Sequence, residues 1–401
     1  MNNRLVDITK EMATCTCGNI HHSIPIEKII VAHDALEQSV PYMESKGIQN
    51  VLIVVDDNTY EAAGSKLCNI LDSSQQISYT ICKIEADESG TVLANETSIV
   101  QVLLNYQHEV DALIAVGSGT IHDITRFCSG KIGKPFISIP TAPSVDGFTS
   151  LGAPIIVRGF KQTVQTVAPI ALFADINILR KAPDEMIAAG FGDMIAKFTS
   201  LADWKFGVLL NDEPYCPLVE SLTKEALEKC IANKDSIAIH QEKGITVLIE
   251  SLILSGIAML IFGQSHPASG GEHHLSHYWE MDFLQKKRAQ VLHGAKVAVT
   301  TAIIAQLYKE EISAVLVNTR EIKNNEIRSK VEQNKSEIKS IVNNIPQPAF
   351  IEKLIEQVGG ETTPYELGIE DELISRSMLE AHQLRERFTM LRFINKELEF
   401  V

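Results

Sequence analysis

The first part of the chain alternates two kinds of pattern. Short apolar runs rich in β-branched residues fall at 29–32, 51–55, 77–84, 112–116 and 135–139, and the second ends in Asp56-Asp57-Asn58. Between them lie stretches of helical period, for example 97–106. Strands separated by helices predict a parallel sheet covered on both faces. Residues 155–167 read as a hairpin turning near Gly159-Phe160. From about Pro183 the period becomes that of long amphipathic helices, at 218–232, 245–261 and 289–307, with no strand signal after it. The stretch 309–343 is dense in Lys, Glu and Asn and reads as a solvated helical pair. The pattern therefore predicts an α/β domain over residues 1–180 and an all-α domain over 181–401, with an active site in the cleft between them.

Composition narrows the function. A chain of 401 residues with 45% hydrophobic and 22% charged residues is a soluble globular type, large enough for two cores. The net charge of −15 argues against a nucleic-acid surface, which needs a basic face. It leaves room for a small anion held by a few cations or a helix N-terminus. The start of the chain lacks the cationic and apolar regions of a signal peptide. The most apolar run, 251–263, continues a helical pattern from Ile245 that includes Glu250. It is too short and interrupted for a bilayer, so a buried core helix and no membrane insertion are expected. Seven cysteines, an odd number, suggest reduced thiols and a cytoplasmic location.

Two features suggest a dinucleotide. Ala115-Val116-Gly117-Ser118-Gly119-Thr120-Ile121-His122-Asp123 carries an apolar strand through a glycine turn into a helix. Glycine lets the backbone approach a diphosphate, and the helix N-terminus offers free N–H groups. The turn is not the full G-x-G-x-x-G fingerprint, and it lacks the Gly-Lys-Ser/Thr of a nucleoside-triphosphate hydrolase. An ordinary strand-to-helix turn would read the same way. Asp56 stands at the end of its strand, where a carboxylate accepts bonds from a ribose diol or simply caps a helix. The loop Pro140-Thr141-Ala142-Pro143-Ser144-Val145-Asp146-Gly147-Phe148-Thr149-Ser150 adds dense polar chemistry at the mouth of the sheet.

Three further motifs offer metal ligands. Gly190-Phe191-Gly192-Asp193 reads as the opening of a helix. Gly270-Gly271-Glu272-His273-His274-Leu275-Ser276-His277 places His273 and His277 on one helical face, with His274 turned towards packing or a supporting bond. Leu292-His293-Gly294-Ala295-Lys296 puts His293 at a helix start. One carboxylate and two imidazoles drawn from these motifs make a three-ligand site with an open position for substrate. Cys15-Thr16-Cys17 with His21-His22 also resembles a metal site. Its C-x-C spacing is not that of a standard zinc knuckle, and no second cysteine pair follows nearby.

In this order and spacing, GSGTIHD, PTAPSVDGFTS, GFGD, SGGEHHLSH and LHGAK resemble the glycerol-1-phosphate dehydrogenases. That family sits among the iron-type alcohol dehydrogenases, glycerol dehydrogenases and dehydroquinate synthases, and the resemblance runs from about Glu27 to Arg392. It implies a Rossmann-like N-terminal domain, a helical C-terminal domain and a homodimer. It also implies reversible reduction of dihydroxyacetone phosphate to sn-glycerol 1-phosphate with NAD(H) or NADP(H). For the bacterial branch it implies nickel as the divalent metal, with zinc second. The resemblance assigns Asp193, His273 and His293 to the metal. It assigns Asp56, Gly117, Ser118, Gly119, Thr120, Ile121, Thr141, Ala142, Pro143, Ser144 and Ser150 to the cofactor. Asp146, Asp193 and His277 match substrate contacts, and His277, with Asp146, is the candidate for moving the proton. Ser265-His266-Pro267 departs from an expected Ser-Arg-Pro. Lys197, Lys296, Arg385, Arg387 and Arg392 are candidates for the substrate phosphate. Glycerol dehydrogenase, a dehydroquinate-synthase-type lyase and a metal-loaded binding protein without catalysis remain as alternatives.

Overall fold

The computed structural model describes residues 1–88 and 90–398. Its strands are β1 (Lys28–Ala32), β2 (Asn50–Val55), β3 (Ser78–Lys83), β4 (Ala112–Gly117), β5 (Phe136–Pro140), β6 (Gly152–Val157), β7 (Phe160–Gln165) and β8 (Ala171–Asp175). Six of them form one parallel sheet in the order β1-β8-β5-β4-β2-β3. β4 is buried along its whole length and β2 along nearly all of it, because helices cover both faces. β6 and β7 pair as the expected hairpin, and both turn residues, Arg158 and Gly159, have positive φ. That turn matches the natural twist of the two strands.

The sheet has one strand more than the sequence pattern gave. β8 lies between β1 and β5 and follows the hairpin, so the 135–139 run is not the last parallel strand. Its five residues come after the polar Lys161-Gln162-Thr163 stretch, which breaks the alternation that would announce it. The chain goes from β2 outward to β3, then returns to the other side of β2 as β4 and continues to β5. The carboxyl ends of β2, β4 and β5 thus border the crevice where such sheets bind ligands.

Helices make up the rest. α1 (Asn2–Thr14) precedes the sheet, and α2 (Gly119–Ile132) follows β4. After β8 come α3 (Asp184–Ile195), α4 (Lys197–Asn211), α5 (Pro217–Ala232), α6 (Glu242–Phe262), α7 (Gly271–Gln285) and α8 (His293–Leu307). α1 gave no clear signal in the sequence, yet it packs Leu5 and Ile8 into the helical core, and Arg4 reaches Glu225 of α5 at 2.8 Å. α8 starts at His293 rather than near residue 289, because Leu292 is extended.

α6 corrects one expectation. Its 21 residues include an 18-residue stretch of mean hydropathy 2.3, so it is long and apolar enough to cross a bilayer by length and composition. It is buried instead: Ile245, Leu248, Leu252, Ile253, Leu254 and Ile257 cover every side of it inside the helical core. The charged stretch beyond α8 folds as the expected pair, Asn325–Gln333 and Lys335–Asn344, anchored by buried Val331, Ile338 and Ile341.

Candidate active site

β4 delivers Gly117 and Ser118 to the start of α2. Ser118 caps that helix without a side-chain bond, which leaves the first N–H groups of Gly119, Thr120 and Ile121 available to an anion. His122 holds the turn in place: its Nδ1–H donates to the Ser118 carbonyl at 2.9 Å, and Ser138 Oγ donates to its Nε2 at 2.7 Å. Burial pulls this imidazole down to about 3, so it is a neutral brace. Alongside, the Thr141 N–H donates to the Gly117 carbonyl at 3.0 Å and carries the β4–β5 register into the loop. Thr141, Ala142, Pro143, Ser144 and Ser150 are all buried there. Fully buried Arg126 of α2 ties the two segments together by donating to the carbonyls of Gly147, Phe148 and Gly152.

Asp56 is at the end of β2, beside this turn. Its Oδ1 accepts the Thr59 N–H at 2.7 Å, and Thr59 Oγ1 accepts the Asp56 N–H at 2.9 Å, a reciprocal helix cap. The capping reading therefore holds at Oδ1, while Oδ2 has no hydrogen-bond partner among the described residues.

The Asp193 half of the site is built by helices that touch backbone to backbone. Asp193 lies near the end of α3, not at a helix opening, and its glycines serve contact rather than flexibility. A methyl group at Gly190 would lie 1.8 Å from the Pro143 carbonyl oxygen, and one at Gly294 would lie 1.9 Å from that of Ala189. These contacts press α3 against both the 141–150 loop and α8, which brings Asp193 to His293. Gly294→Ala must force α3 and α8 apart. It is expected to cost about 3 kcal/mol or more, read as a lower midpoint in thermal denaturation, with weakened metal retention.

Ligand atoms of Asp193, His273 and His293 lie within 4.8 Å of one another. His273 Nε2 is 3.7 Å from Asp193 Oδ1, and the His273 and His293 rings are 5.3 Å apart. His277, one turn along α7, stands edge-on to His293 at 5.6 Å, so it borders the trio without joining it. A divalent cation fits this donor set. One carboxylate and two imidazoles converge, and His293 Nδ1 is buried with no hydrogen-bond partner.

Neighbouring residues prepare the trio. Glu272 Oε1 accepts from His273 Nδ1 at 2.8 Å, which leaves Nε2 as the acceptor facing Asp193. Thr199 Oγ1 donates to the other Glu272 oxygen at 2.7 Å. Lys197, fully buried, lies 2.7 Å from Asp146 Oδ2 and 3.3 Å from Asp193 Oδ1. Ser255 donates to Asp146 Oδ2 at 2.8 Å, and the Asp146 N–H donates to Asp193 Oδ2 at 2.9 Å. Burial, with the like charge of Asp193, raises the Asp146 carboxyl. For Asp193, Lys197 and the two imidazoles outweigh burial and hold the carboxyl well below its usual range. No hydrogen bond joins Asp146 to His277 among the described residues. Lys197→Met would leave two buried carboxylates without their cation. In metal-stripped protein it is expected to cost about 3–5 kcal/mol, measured as a fall in the urea midpoint.

Residues 30–183 match the family model described as iron-containing alcohol dehydrogenase. A glycerol-1-phosphate dehydrogenase of Geobacillus stearothermophilus is 50% identical over 406 residues, covering 100% of both chains. That of Geobacillus thermodenitrificans (strain NG80-2) is 49% identical over 400 residues, covering 99% of this chain and 98% of its own. The chain belongs to the glycerol-1-phosphate dehydrogenase family. Among solved structures, a probable glycerol dehydrogenase from Sinorhizobium meliloti 1021 superimposes with a TM-score of 0.65 at 15% identity. It covers 91% of this chain and 92% of its own, and it shares the fold.

For a glycerol-1-phosphate dehydrogenase, the cations around the trio sort cleanly. Lys197 is committed to Asp146 and Asp193, and Lys296 pairs with Glu280 at 3.3 Å. Lys161 of the β6–β7 hairpin meets the same Glu280 at 2.9 Å, a bridge from sheet domain to α7 that the sequence did not signal. Arg392 donates to the Arg385 carbonyl at 3.4 Å. Like Arg392, neither Arg385 nor Arg387 forms an ion pair among the described residues. Arg385 donates to Ser269 Oγ at 3.2 Å; Arg387 donates to the Ser200 and His266 carbonyls and keeps Nε and one terminal nitrogen buried without a partner. Burial, with Arg387 nearby, pulls Arg385 down to about 10.

His274 makes no supporting bond. Both its ring nitrogens are buried without a hydrogen-bond partner, and burial, with the charges of Arg385 and Arg387, holds the imidazole well below its ordinary value. His266, at the departure from Ser-Arg-Pro, lies 3.4 Å from Glu213 and packs against Phe262 and Trp204. A guanidinium is still supplied there, by Arg387.

Proposed function

We propose that this chain catalyses the reversible NAD(P)H-dependent reduction of dihydroxyacetone phosphate to sn-glycerol 1-phosphate. The observation that carries the proposal is a carboxylate–imidazole trio suited to a divalent metal, with the Arg385 guanidinium, which forms no ion pair among the described residues, acting on His277 at its border. A redox site for a neutral polyol has no need of such a cation, whereas a phosphorylated triose does. In this reading residues 1–180 hold the dinucleotide and residues 181–401 bring metal and substrate to it.

A divalent metal held by Asp193, His273 and His293, nickel first and zinc second, supplies Lewis-acid polarisation of the reacting oxygen, and the dinucleotide supplies or accepts the hydride. Gly117, Ser118, Gly119, Thr120 and Ile121 seat the pyrophosphate, and the Asp56 carboxylate takes the ribose, which favours NAD over NADP. Thr141, Ala142, Pro143, Ser144 and Ser150 form the wall beside the cofactor. Glu272 fixes the tautomer of His273, and Lys197 keeps Asp193 ionised. Burial, reinforced by Lys161 and Arg385, pushes His277 well below its ordinary value. It is therefore a neutral imidazole beside His293, suited to passing the hydroxyl proton. Asp146, clamped by Lys197 and Ser255, orients the substrate end nearest the sheet. Arg385, with Arg387 and His274 behind it, receives the phosphate. The enzyme works in the cytoplasm as a homodimer, a setting that suits its unpaired thiols.

Substrate comparison tests this reading. With metal-reconstituted protein, dihydroxyacetone phosphate is expected to oxidise NADH with a kcat/KM at least about thirtyfold above that of dihydroxyacetone, since the loss of a charged phosphate contact costs about 2–5 kcal/mol. Better turnover of dihydroxyacetone would place the chain functionally with the glycerol dehydrogenases. Turnover without net NADH consumption would place it with the dehydroquinate-synthase-type lyases.

A further inference from the structure

The CTCGNIHH stretch takes no part in the cleft, yet the fold completes it. After α1 the chain runs without regular structure from Cys15 to His21 and lies against the N-terminus of α5. Cys216, the N-cap residue of that helix, comes from about two hundred positions further along. Its Sγ is 3.8 Å from Cys15 Sγ and 3.3 Å from His21 Nε2, which is itself 3.4 Å from Cys17 Sγ. All four ligand atoms lie within 4.8 Å of one another, and none of the three cysteines is in a disulfide.

Hydrogen bonding alone does not account for this packing. One imidazole nitrogen has a single in-plane direction, a proton or a lone pair, and it cannot satisfy two sulfurs at once. A cation at the centre satisfies all four. Zinc bound tetrahedrally at about 2.3 Å from sulfur and about 2.0 Å from nitrogen separates two sulfurs by about 3.8 Å and sulfur from nitrogen by about 3.5 Å. The observed spacings agree with both values. The surrounding backbone is arranged for such a centre. The Asn19 N–H points to Cys17 Sγ at 3.5 Å, Asn19 Nδ2 donates to the Tyr215 carbonyl, and the His22 N–H donates to the Ile261 carbonyl at 2.9 Å. His22 stays outside the cluster, its ring against Gly263.

We propose that Cys15, Cys17, His21 and Cys216 bind a structural zinc ion, separate from the Asp193 cluster, that fastens the N-terminal segment to the helical domain. Three thiolates and one imidazole leave no open position, so the site is structural rather than catalytic. Bound metal would also keep these three cysteines from oxidising, because their lone pairs are committed to it.

Metal analysis of the full-length protein, purified in reductant, tests the assignment. About two metal equivalents per chain are expected in the unmutated protein, one of them zinc. His273→Ala keeps that zinc, whereas Cys17→Ser and Cys216→Ser lose it and keep the other metal. Cobalt substitution gives a second readout that needs no variant to fold. Only a sulfur-ligated cobalt shows intense near-ultraviolet thiolate charge transfer, and the Asp193 cluster contains no sulfur. That band is expected in the unmutated protein and in His273→Ala. A single metal equivalent lost with His273→Ala, no thiolate band, or a Cys15–Cys216 disulfide in place of metal would overturn the proposal.

Discussion

His273→Ala is expected to yield a folded protein that no longer retains the metal of the Asp193 cluster and has lost nearly all NADH oxidation. His273 is the central member of the trio, with Asp193 on one side and the His293 ring on the other. Its removal leaves a carboxylate and a single imidazole, too few to hold a metal with a defined open position. Lewis-acid stabilisation is worth several kcal/mol, so a loss of about three orders of magnitude in kcat follows. Folding should survive, because the methyl of alanine replaces a ring at the cleft wall while the α7–α8 packing through Trp279 and Val299 is untouched. Metal content, circular dichroism and initial rates on one preparation check all three statements. Full activity in a metal-free variant would remove the cluster from the chemistry.

Arg385→Leu separates phosphate recognition from hydride transfer. Its guanidinium forms no ion pair among the described residues, and buried Glu272, whose charge reaches it, keeps its own bonds to His273, Thr199 and Gly270, so the fold should tolerate its removal. The substrate phosphate is expected to lose a charged bond worth about 3 kcal/mol, roughly a hundredfold in kcat/KM. Most of that loss should appear in KM, because the phosphate is remote from the reacting carbon and contributes binding in both ground and transition states. Slow turnover of unphosphorylated dihydroxyacetone should be unchanged within about twofold, since the contact it lacks is the one removed. Steady-state kinetics with both substrates decide the matter, and an equal fall for both would make Arg385 structural.

The legible part of this molecule is the part whose signals are local. β2 and β4 announce themselves as uninterrupted apolar runs because both of their faces are covered, and the glycine turn after β4 is contiguous with the helix it opens. The proposed ligands Asp193, His273 and His293 sit in glycine-marked motifs. The structure gives those glycines a different meaning: Gly190 and Gly294 allow backbones to touch, and Asp193 ends a helix instead of opening one. β8 escaped because its crossover passes through a hairpin rather than a helix, so the alternation of strand and helix stops before it. Glu272 escaped for a geometric reason, since adjacent helical residues point about 100° apart and sequence adjacency to His273 suggests no bond. Only the bend of the Glu272 side chain back to Gly270 and His273 reveals it. Cys216 could not be joined to Cys15 and Cys17 from spacing, because the contact is made by the fold alone. The same is true of Lys161, which arrives at Glu280 from the sheet domain.

The most direct measurement is the handedness of the product. Metal-reconstituted protein is incubated with dihydroxyacetone phosphate and NADH until absorbance stops falling, and the product is then offered to an enzyme that oxidises only sn-glycerol 3-phosphate. The expected result is NADH consumption with a glycerol phosphate that this second enzyme leaves untouched. Complete oxidation of the product by the second enzyme, or no NADH consumption at all, would contradict the assignment.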